Sequence, residues 1–70
     1  MRTMIKVVVN DEEKQISENS SIELLLKEMN LDGKTMVVVV NDEIVEHTQY
    51  SKIILHDGDR IELVRIVGGG

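Results

Sequence analysis

The stretch that decides the fold is residues 20–29, with the sequence SSIELLLKEM. Its apolar side chains recur at the i, i+3, i+4 and i+7 spacing, which places them on one stripe of an α-helix. The members of this stripe are Ile22, Leu25, Leu26 and Met29. Ser20 and Glu23 have the spacing of a capping box, so we expect the Ser20 side chain to accept the Glu23 amide. Asn30 or the Asp32-Gly33 pair is expected to end the helix.

Extended segments rich in Val and Ile flank this helix on both sides. They are Met4–Val9, residues 13–17, Met36–Val40, residues 44–45, residues 52–55 and residues 60–66. A helix that follows an N-terminal hairpin can cover only one face of a sheet, and a right-handed crossover makes the first and last long strands a parallel central pair. The predicted fold is α+β, a β-grasp (ubiquitin-like) arrangement of one mixed sheet of four to five strands packed on a single helix.

The composition excludes several classes of protein. The chain has 70 residues, so we take residues 1–70 as a single domain. It has 8 Lys and Arg against 13 Asp and Glu, a net charge of −5, whereas nucleic-acid binders normally have a basic face. The absence of Cys excludes a disulfide framework, a zinc-thiolate site and a thiol nucleophile. The longest apolar run, Met36–Val40, is far shorter than the roughly 20 residues of a membrane span. We therefore expect a cytoplasmic protein with no signal peptide and no membrane partner.

No group of residues has the spacing of an active site or a metal site. His47 and His56 stand in predicted loops without metal-ligand spacing. Ser20 and Ser21 are explained as helix caps rather than nucleophiles, and the acidic run at residues 11–13 is explained as a solvated turn. We therefore expect that the protein is not an enzyme and that the chain itself binds no metal or cofactor.

The most distinctive feature is the end of the sequence, where residues 67–70 (VGGG) follow the last predicted strand. Glycine has no Cβ and the greatest backbone freedom. A flexible tail of this kind can enter a narrow enzyme channel through Gly68 and Gly69, and can present the Gly70 carboxylate for close approach by a reactant. The alternative is an ordinary frayed terminus. Combined with a one-helix fold of this size, the tail favours a functional role for the terminal carboxylate.

On these features the sequence resembles the ThiS family of sulfur carrier proteins of thiamin biosynthesis, over residues 4–70. The matching segments are Asn10 after the opening strand, residues 22–25 (IELL), 39–45 (VVNDEIV), 57–64 (DGDRIELV) and 67–70 (VGGG). The Asp-Gly-Asp turn and the Gly-Gly end are shared with the wider ubiquitin-like carrier superfamily, whereas VNDEIV and VGGG resemble the thiamin branch. Many members have Arg or Pro-Arg and then an aromatic residue in the next loop; here Glu46-His47 and Tyr50 stand there, which departs from the pattern.

The resemblance implies a carrier cycle with three partners. An adenylating (E1-like) enzyme uses ATP and magnesium to convert the Gly70 carboxylate into an acyl-adenylate. Sulfur from a cysteine desulfurase relay then replaces AMP and leaves a C-terminal thiocarboxylate. A thiazole synthase consumes that sulfur for the thiazole ring. The carrier contributes no catalytic side chain, which agrees with the lack of Cys and of an active site.

A docking surface for these partners is expected beside the tail. Val64, Ile66 and Val67 form a small apolar dock if their side chains are exposed. The alternative, equally open from the sequence, is that they complete the packing of the sheet, because strand faces depend on a register that the sequence does not define.

Other functions remain open at this stage. The small subunit of molybdopterin synthase shares the fold, the Gly-Gly end and the thiocarboxylate, although that family is usually longer and often has Pro near its last strand. A ubiquitin-like protein modifier and a non-covalent binding module are further alternatives. The sequence does not decide the sulfur donor, a covalent link to the adenylating enzyme, a start at Met1 or Met4, or the oligomeric state, for which a monomer is the simplest expectation.

Overall fold

A computed structural model describes residues 3–66, which form one mixed five-stranded sheet and one α-helix. The elements are β1 (Met4–Val9), β2 (Glu12–Ser17), α1 (Ile22–Glu28), β3 (Met36–Val40), β4 (Glu43–Val45) and β5 (Arg60–Arg65). Two 3₁₀ turns, Gly33–Thr35 and His47–Gln49, lie in the connections. The predicted architecture of one sheet and one helix is confirmed.

The last strand lies in the middle of the sheet, whose order is β2-β1-β5-β3-β4. β5 is parallel to β1, with the pairs Val8↔Arg60 and Val9↔Ile61. It is antiparallel to β3 over a longer register that runs from Met36↔Arg65 to Val40↔Ile61. The predicted parallel pairing of the first and last long strands is therefore confirmed. The chain leaves the described part of the structure from the centre of the sheet rather than from an edge.

Two hairpins of similar sequence flank β5. The first connects β1 to β2 through Asn10-Asp11, with φ values of 50° and 67°, and the second connects β3 to β4 through Asn41-Asp42, with φ values of 49° and 69°. Two consecutive left-handed residues in a two-residue loop form the turn whose twist matches the right-handed twist of paired strands, and Asn and Asp tolerate it. The same hexapeptide, VVVNDE, stands at residues 7–12 and 38–43.

The core lies between the helix and one face of the sheet. The predicted helix stripe is confirmed, since Ile22, Leu25 and Leu26 are buried and Met29 packs against them. Ile61 and Leu63 of β5 also point inward, in the alternation typical of a strand with one covered face. The remaining buried apolar residues are Val7, Val9, Ile16, Met36, Val38, Tyr50 and Leu55.

Tyr50 anchors the connection between β4 and β5 under the helix. Its side chain is 6% exposed, and its hydroxyl donates to the Met36 carbonyl oxygen at 3.5 Å. This burial raises the pKa of the Tyr50 phenol above its ordinary value. A Cβ at Gly33 would lie 2.7 Å from the Tyr50 ring, so glycine is required there for the 3₁₀ turn to approach the ring. The aromatic residue of the loop that departs from the family pattern is thus part of the core.

The predicted helix cap was wrong by one residue. Ser21, not Ser20, is the N-cap, and its hydroxyl oxygen accepts the Leu24 amide at 3.1 Å. Ser20 is 3% exposed, and its hydroxyl donates to the Ser17 carbonyl oxygen at 2.6 Å. The Glu23 amide, expected to bond to Ser20, donates instead to the Tyr50 carbonyl oxygen at 3.1 Å.

Ser21 rather than Ser20 caps the helix because Ser20 and the first helical residues bond to the segment that follows the second 3₁₀ turn. The Leu55 amide donates to the Ser20 carbonyl oxygen at 2.8 Å, and the Ile22 amide donates to the Ile53 carbonyl oxygen at 3.1 Å. These bonds draw Ser20 inward and satisfy the first helical amides with backbone carbonyls. The segment 52–55, expected to be extended, contributes only an isolated bridge between Ile54 and Ser21.

The other predicted boundaries differ from the structure by one residue at most. β2 begins at Glu12 rather than Glu13, and β5 ends at Arg65 rather than Ile66. The helix is capped by Met29, and Asn30 follows with a φ of 58°, so the first of the two expected stop signals is the one used.

The Asn10 side chain continues the pairing of β1 with β5 after the β1 backbone has turned away. The Asn10 amide donates to the Ile61 carbonyl oxygen at 2.9 Å. Its Oδ1 accepts the Leu63 amide at 2.8 Å, and its Nδ2 donates to the Leu63 carbonyl oxygen at 3.3 Å. A carboxamide offers one acceptor and donors, as a peptide group does, so Asn10 takes the place of the next strand residue.

We expect Asn10→Gly to lower the free energy of unfolding by about 1–3 kcal/mol, because glycine keeps the left-handed turn but removes two hydrogen bonds to Leu63. Denaturant unfolding followed by circular dichroism measures this change. Asn30→Gly is the matched control: Asn30 also has a positive φ, and within residues 3–66 its side chain makes no hydrogen bond. An equal loss in the two variants would contradict the role of the Asn10 carboxamide.

Candidate functional site

The site predicted from the sequence begins where β5 ends. The Ile66 amide donates to the Thr35 carbonyl oxygen at 2.8 Å, which ties the end of β5 to the 3₁₀ turn before β3. Val67, Gly68, Gly69 and Gly70 lie outside the described residues. The roles expected for the three glycines and for Val67 therefore stay predictions, and the structure defines only the base of the tail.

The two described residues of the predicted dock have exposed side chains. Val64 is 52% exposed and Ile66 is 53% exposed. Val64 follows the buried Leu63 and so points to the face of the sheet opposite the helix, and Ile66 continues the same alternation. The packing alternative does not hold for these two residues.

The sheet register adds further apolar residues beside them. Val37 stands opposite Val64, and Val39 stands opposite Ile44 of β4, so all four share the open face. Ile44 is 75% exposed, the largest value among the exposed large apolar side chains of the described residues. We call the surface formed by these residues the apolar patch. Its members are Val37, Val39, Ile44, Val64 and Ile66.

Three members of the apolar patch were missed in the sequence analysis, namely Val37, Val39 and Ile44. One signal was available for the two valines. Met36–Val40 is apolar at every position, and a single helix can cover only one face of the sheet, so alternate residues of this strand had to face away from the helix, where Val37 and Val39 are half-buried. Ile44 could not be assigned to a face, because its pairing with Val39 depends on the hairpin register.

A second surface feature lies on the helix side of the sheet. It is an open groove of about 440 Å³ whose apolar lining is Leu26, Leu31 and Tyr50. Both Leu26 and Tyr50 are core residues, and the groove lies above them. Lys27, Lys34 and His47 contribute positive or titratable groups to its lining, and Glu23 and Asp32 contribute acidic ones. The groove therefore has no dominant charge that would select a ligand.

The polar side chains of the predicted turns have structural partners. Asp59 accepts the His56 amide at 2.7 Å and the Asn41 Nδ2 at 3.0 Å, and Asp57 accepts the Lys6 amide at 2.8 Å. These bonds fasten the Asp-Gly-Asp turn to β1 and to the second hairpin. His56, like His47, is exposed, as predicted for loop histidines.

Residues 3–66 contain no group of three or more His, Cys, Asp or Glu side chains that could hold a metal ion. Among the same residues, no helix has the length and apolar character needed to cross a membrane.

Comparison with known proteins identifies the family. The ThiS family model matches residues 2–70, which is nearly the whole chain. A crystal structure of the thiamine biosynthesis protein ThiS from Geobacter metallireducens superposes with a TM-score of 0.83, covers 94% of this chain and 100% of that one, and is 23% identical. This likeness shows that the β-grasp fold is shared.

Two curated relatives differ greatly in length. The sulfur carrier protein ThiS of Bacillus subtilis is 38% identical over 53 residues, which are 76% of this chain and 80% of the relative. The thiazole synthase of Paramagnetospirillum magneticum is 38% identical over 66 residues, which are 94% of this chain but only 20% of that protein. The chain therefore spans about a fifth of one relative and most of the other. On the match of the family model and the Bacillus relative, the chain belongs to the ThiS family.

Proposed function

We propose that this ThiS-family sulfur carrier of thiamin biosynthesis works through a thiocarboxylate on Gly70. In the first step, the Gly70 carboxylate oxygen attacks the α-phosphate of ATP on a partner enzyme, and pyrophosphate leaves. In the second step, a sulfide-level sulfur nucleophile attacks the acyl carbon, and the bond to AMP breaks. The product is the C-terminal thiocarboxylate. Magnesium and ATP belong to the partner enzyme, and the carrier supplies only the carboxylate.

The observation that most supports this proposal is the position of the base of the tail. β5 pairs with β1 near its start and with β3 from Ile61 to Arg65, and the Ile66 amide bonds to Thr35, so the residue before the tail is held on the β3 side. A short segment attached to a fixed point can reach only a small volume, which favours delivery of its end to an enzyme channel.

The proposed partners are an adenylating enzyme, a cysteine desulfurase relay and a thiazole synthase. The third is favoured by the relative from Paramagnetospirillum magneticum, in which a sequence like this chain forms about a fifth of a thiazole synthase. Covalent joining of two activities is a common way to raise their effective concentration. We infer that this chain delivers its sulfur to a thiazole synthase.

The apolar patch is the proposed docking surface for the adenylating enzyme. It lies on the open face of the sheet, and Val64 and Ile66 bring it to the base of the tail. Burial of such side chains contributes a favourable free energy of about 25 cal/mol for each Å² of apolar surface removed from water. Ile44 is the most exposed of them, and an interface needs a buried central anchor, which is an aromatic or aliphatic side chain in a pocket. The predicted dock is thereby extended from the tail to the edge strand β4.

The chemical step is tested by the intact mass of the carrier after incubation with ATP, magnesium, the adenylating enzyme and sulfide. We expect one oxygen to be replaced by one sulfur at Gly70. Gly69→Val and Gly70→Val are expected to abolish the exchange, because a side chain obstructs the enzyme channel, while the unfolding midpoint stays unchanged. The control is Thr3→Val, which places the same valine side chain at an exposed position away from the tail.

An unchanged mass of the wild-type carrier, with the enzyme shown active on another carrier, would contradict the proposal. Retained exchange in both glycine variants would contradict the channel. A carrier attached instead to lysines of other proteins would appear as conjugates on a denaturing gel, and that result favours a protein modifier.

The docking role of the apolar patch is tested by Ile44→Gln. We expect the KM of the adenylating enzyme for the carrier to rise about tenfold or more, since the loss of a buried aliphatic anchor costs about 1.5–3 kcal/mol. The unfolding midpoint is expected to change little, because Ile44 is 75% exposed. Leu24→Gln is the matched control: Leu24 is 43% exposed and lies on the helix, outside the apolar patch. Equal KM values for the two variants would place the docking surface elsewhere.

A further inference from the structure

The backbone of β5 has one position directed to the side where β1 has already ended. Alternate residues of a strand direct their N–H and C=O groups to opposite neighbours. The Ile66 amide bonds to Thr35 on the β3 side, whereas the Leu63 backbone bonds to Asn10 on the β1 side. Arg65 stands two residues after Leu63 and therefore directs its N–H and C=O to the β1 side as well.

No strand of the described residues covers Arg65 on that side. β1 pairs with β5 at Val8↔Arg60 and Val9↔Ile61, and Asn10 supplies the next bonds at Leu63. Arg65 itself is exposed, and Val64 and Ile66 on either side of it are more than half exposed. The edge of β5 at Arg65 is therefore accessible, immediately before the tail.

The outer edges of the sheet are protected in ways that this inner edge is not. The edge strand β2 begins with Glu12, Glu13 and Lys14, and charged side chains discourage pairing with another chain. The opposite edge strand β4 has three residues, which is too short to be a good template. Arg65 has one charge, and it stands between two apolar residues of the patch.

We propose that the open edge of β5 at Arg65 pairs by backbone hydrogen bonds with an extended strand of the adenylating enzyme. This inference rests on the proposed function, which supplies that enzyme as the partner. The Asn10 carboxamide already occupies the preceding position with a peptide-like donor and acceptor, so the edge has the geometry that accepts a strand. The incoming strand takes the next position along β5.

We assign the open edge of β5 to the adenylating enzyme because this edge is continuous with the apolar patch, the docking surface proposed for that enzyme. Val64 and Ile66 belong to the apolar patch and flank Arg65, so the protein that covers the patch also reaches the edge. The tail beyond has three glycines, which offer no side chains for an enzyme to hold and lose much conformational freedom when ordered. Backbone pairing at Arg65 directs the tail without any side chain, and leaves only the last residues to be ordered in the channel.

Amide hydrogen exchange of the wild-type carrier, measured by NMR, tests the pairing directly. We expect exchange of the Arg65 amide to slow at least tenfold when the adenylating enzyme is added without ATP. The Ile66 amide is the internal reference, because it is already bonded to Thr35 in the free carrier. An unchanged Arg65 amide in the complex overturns the pairing. Slowing in the free carrier at high concentration identifies a second copy as the occupant, and slowing only with thiazole synthase identifies that enzyme; either result also overturns the proposal.

A pair of variants separates the backbone of Arg65 from its side chain. Arg65→Pro removes the N–H, and proline is tolerated where a strand has no neighbour to bond. We expect it to raise the KM for the carrier about tenfold, the factor that corresponds to about 1.4 kcal/mol. Arg65→Ala keeps the N–H and is expected to leave the KM within about twofold of the wild type. Equal effects of the two substitutions would assign the contact to the guanidinium and overturn the pairing.

Two further controls keep the outcome decisive. If Arg65→Pro does not fold, a chemically synthesised chain with an N-methylated Arg65 replaces it, and the exchange measurement on the wild type stands on its own. If the wild-type carrier acquires sulfur while exchange of its Arg65 amide is not slowed by the enzyme, only the strand pairing is overturned. A wild-type carrier that acquires no sulfur overturns the proposed function, and the pairing with it.

Discussion

The interaction on which the rest of the structure depends is the insertion of β5 between two hairpins. β5 is the last strand in the chain, yet it lies in the centre of the sheet and joins the β1–β2 hairpin to the β3–β4 hairpin. Without it the two hairpins would be separate, and isolated hairpins are at best marginally stable in water. Because β5 lies between the two hairpins, the strand that leads to the tail is also the one that joins them into one sheet. The same strand therefore supports the tail and stabilises the domain.

A second constraint is that the single helix can cover only one face of the sheet. The seven-residue helix α1 and the segment around Tyr50 and Leu55 bury the inward residues of the sheet, and the outward residues have no covering element within the described chain. A domain of this size buries only part of its apolar surface, and the aliphatic residues on the open face stay in contact with water unless a partner covers them. Ile44 and Val64 illustrate the point, since each stands opposite a valine of β3 and neither contributes to the core.

Most of the fold was predictable because local and periodic signals agreed with it. The bounds of β1 and β3 and the inward residues of β5 follow from alternation and from runs of branched residues, and the parallel pairing of β1 with β5 follows from the handedness of crossovers. The helix cap was not predictable, because the choice between Ser20 and Ser21 is made by Leu55 and Tyr50, which are about 30 residues away in the sequence. The same limit applies to the site. Val64 and Ile66 could be named from their nearness to the tail, whereas Ile44 needed the register of a three-residue strand.

The two copies of VVVNDE show how one local sequence acquires two roles from its direction relative to β5. Both form the same left-handed Asn-Asp turn, and in both the Asn side chain accepts a β5 amide, from Leu63 for Asn10 and from Arg60 for Asn41. β3 is antiparallel to β5, so the Asn41 turn lies at the start of β5, where Asp59 completes its bonding. β1 is parallel to β5, so the Asn10 turn lies further along it, and the strand outruns its neighbour towards Arg65. The accessible edge before the tail is thus a consequence of the parallel pairing itself, since a β1 that ends in a tight turn cannot follow β5 to its end.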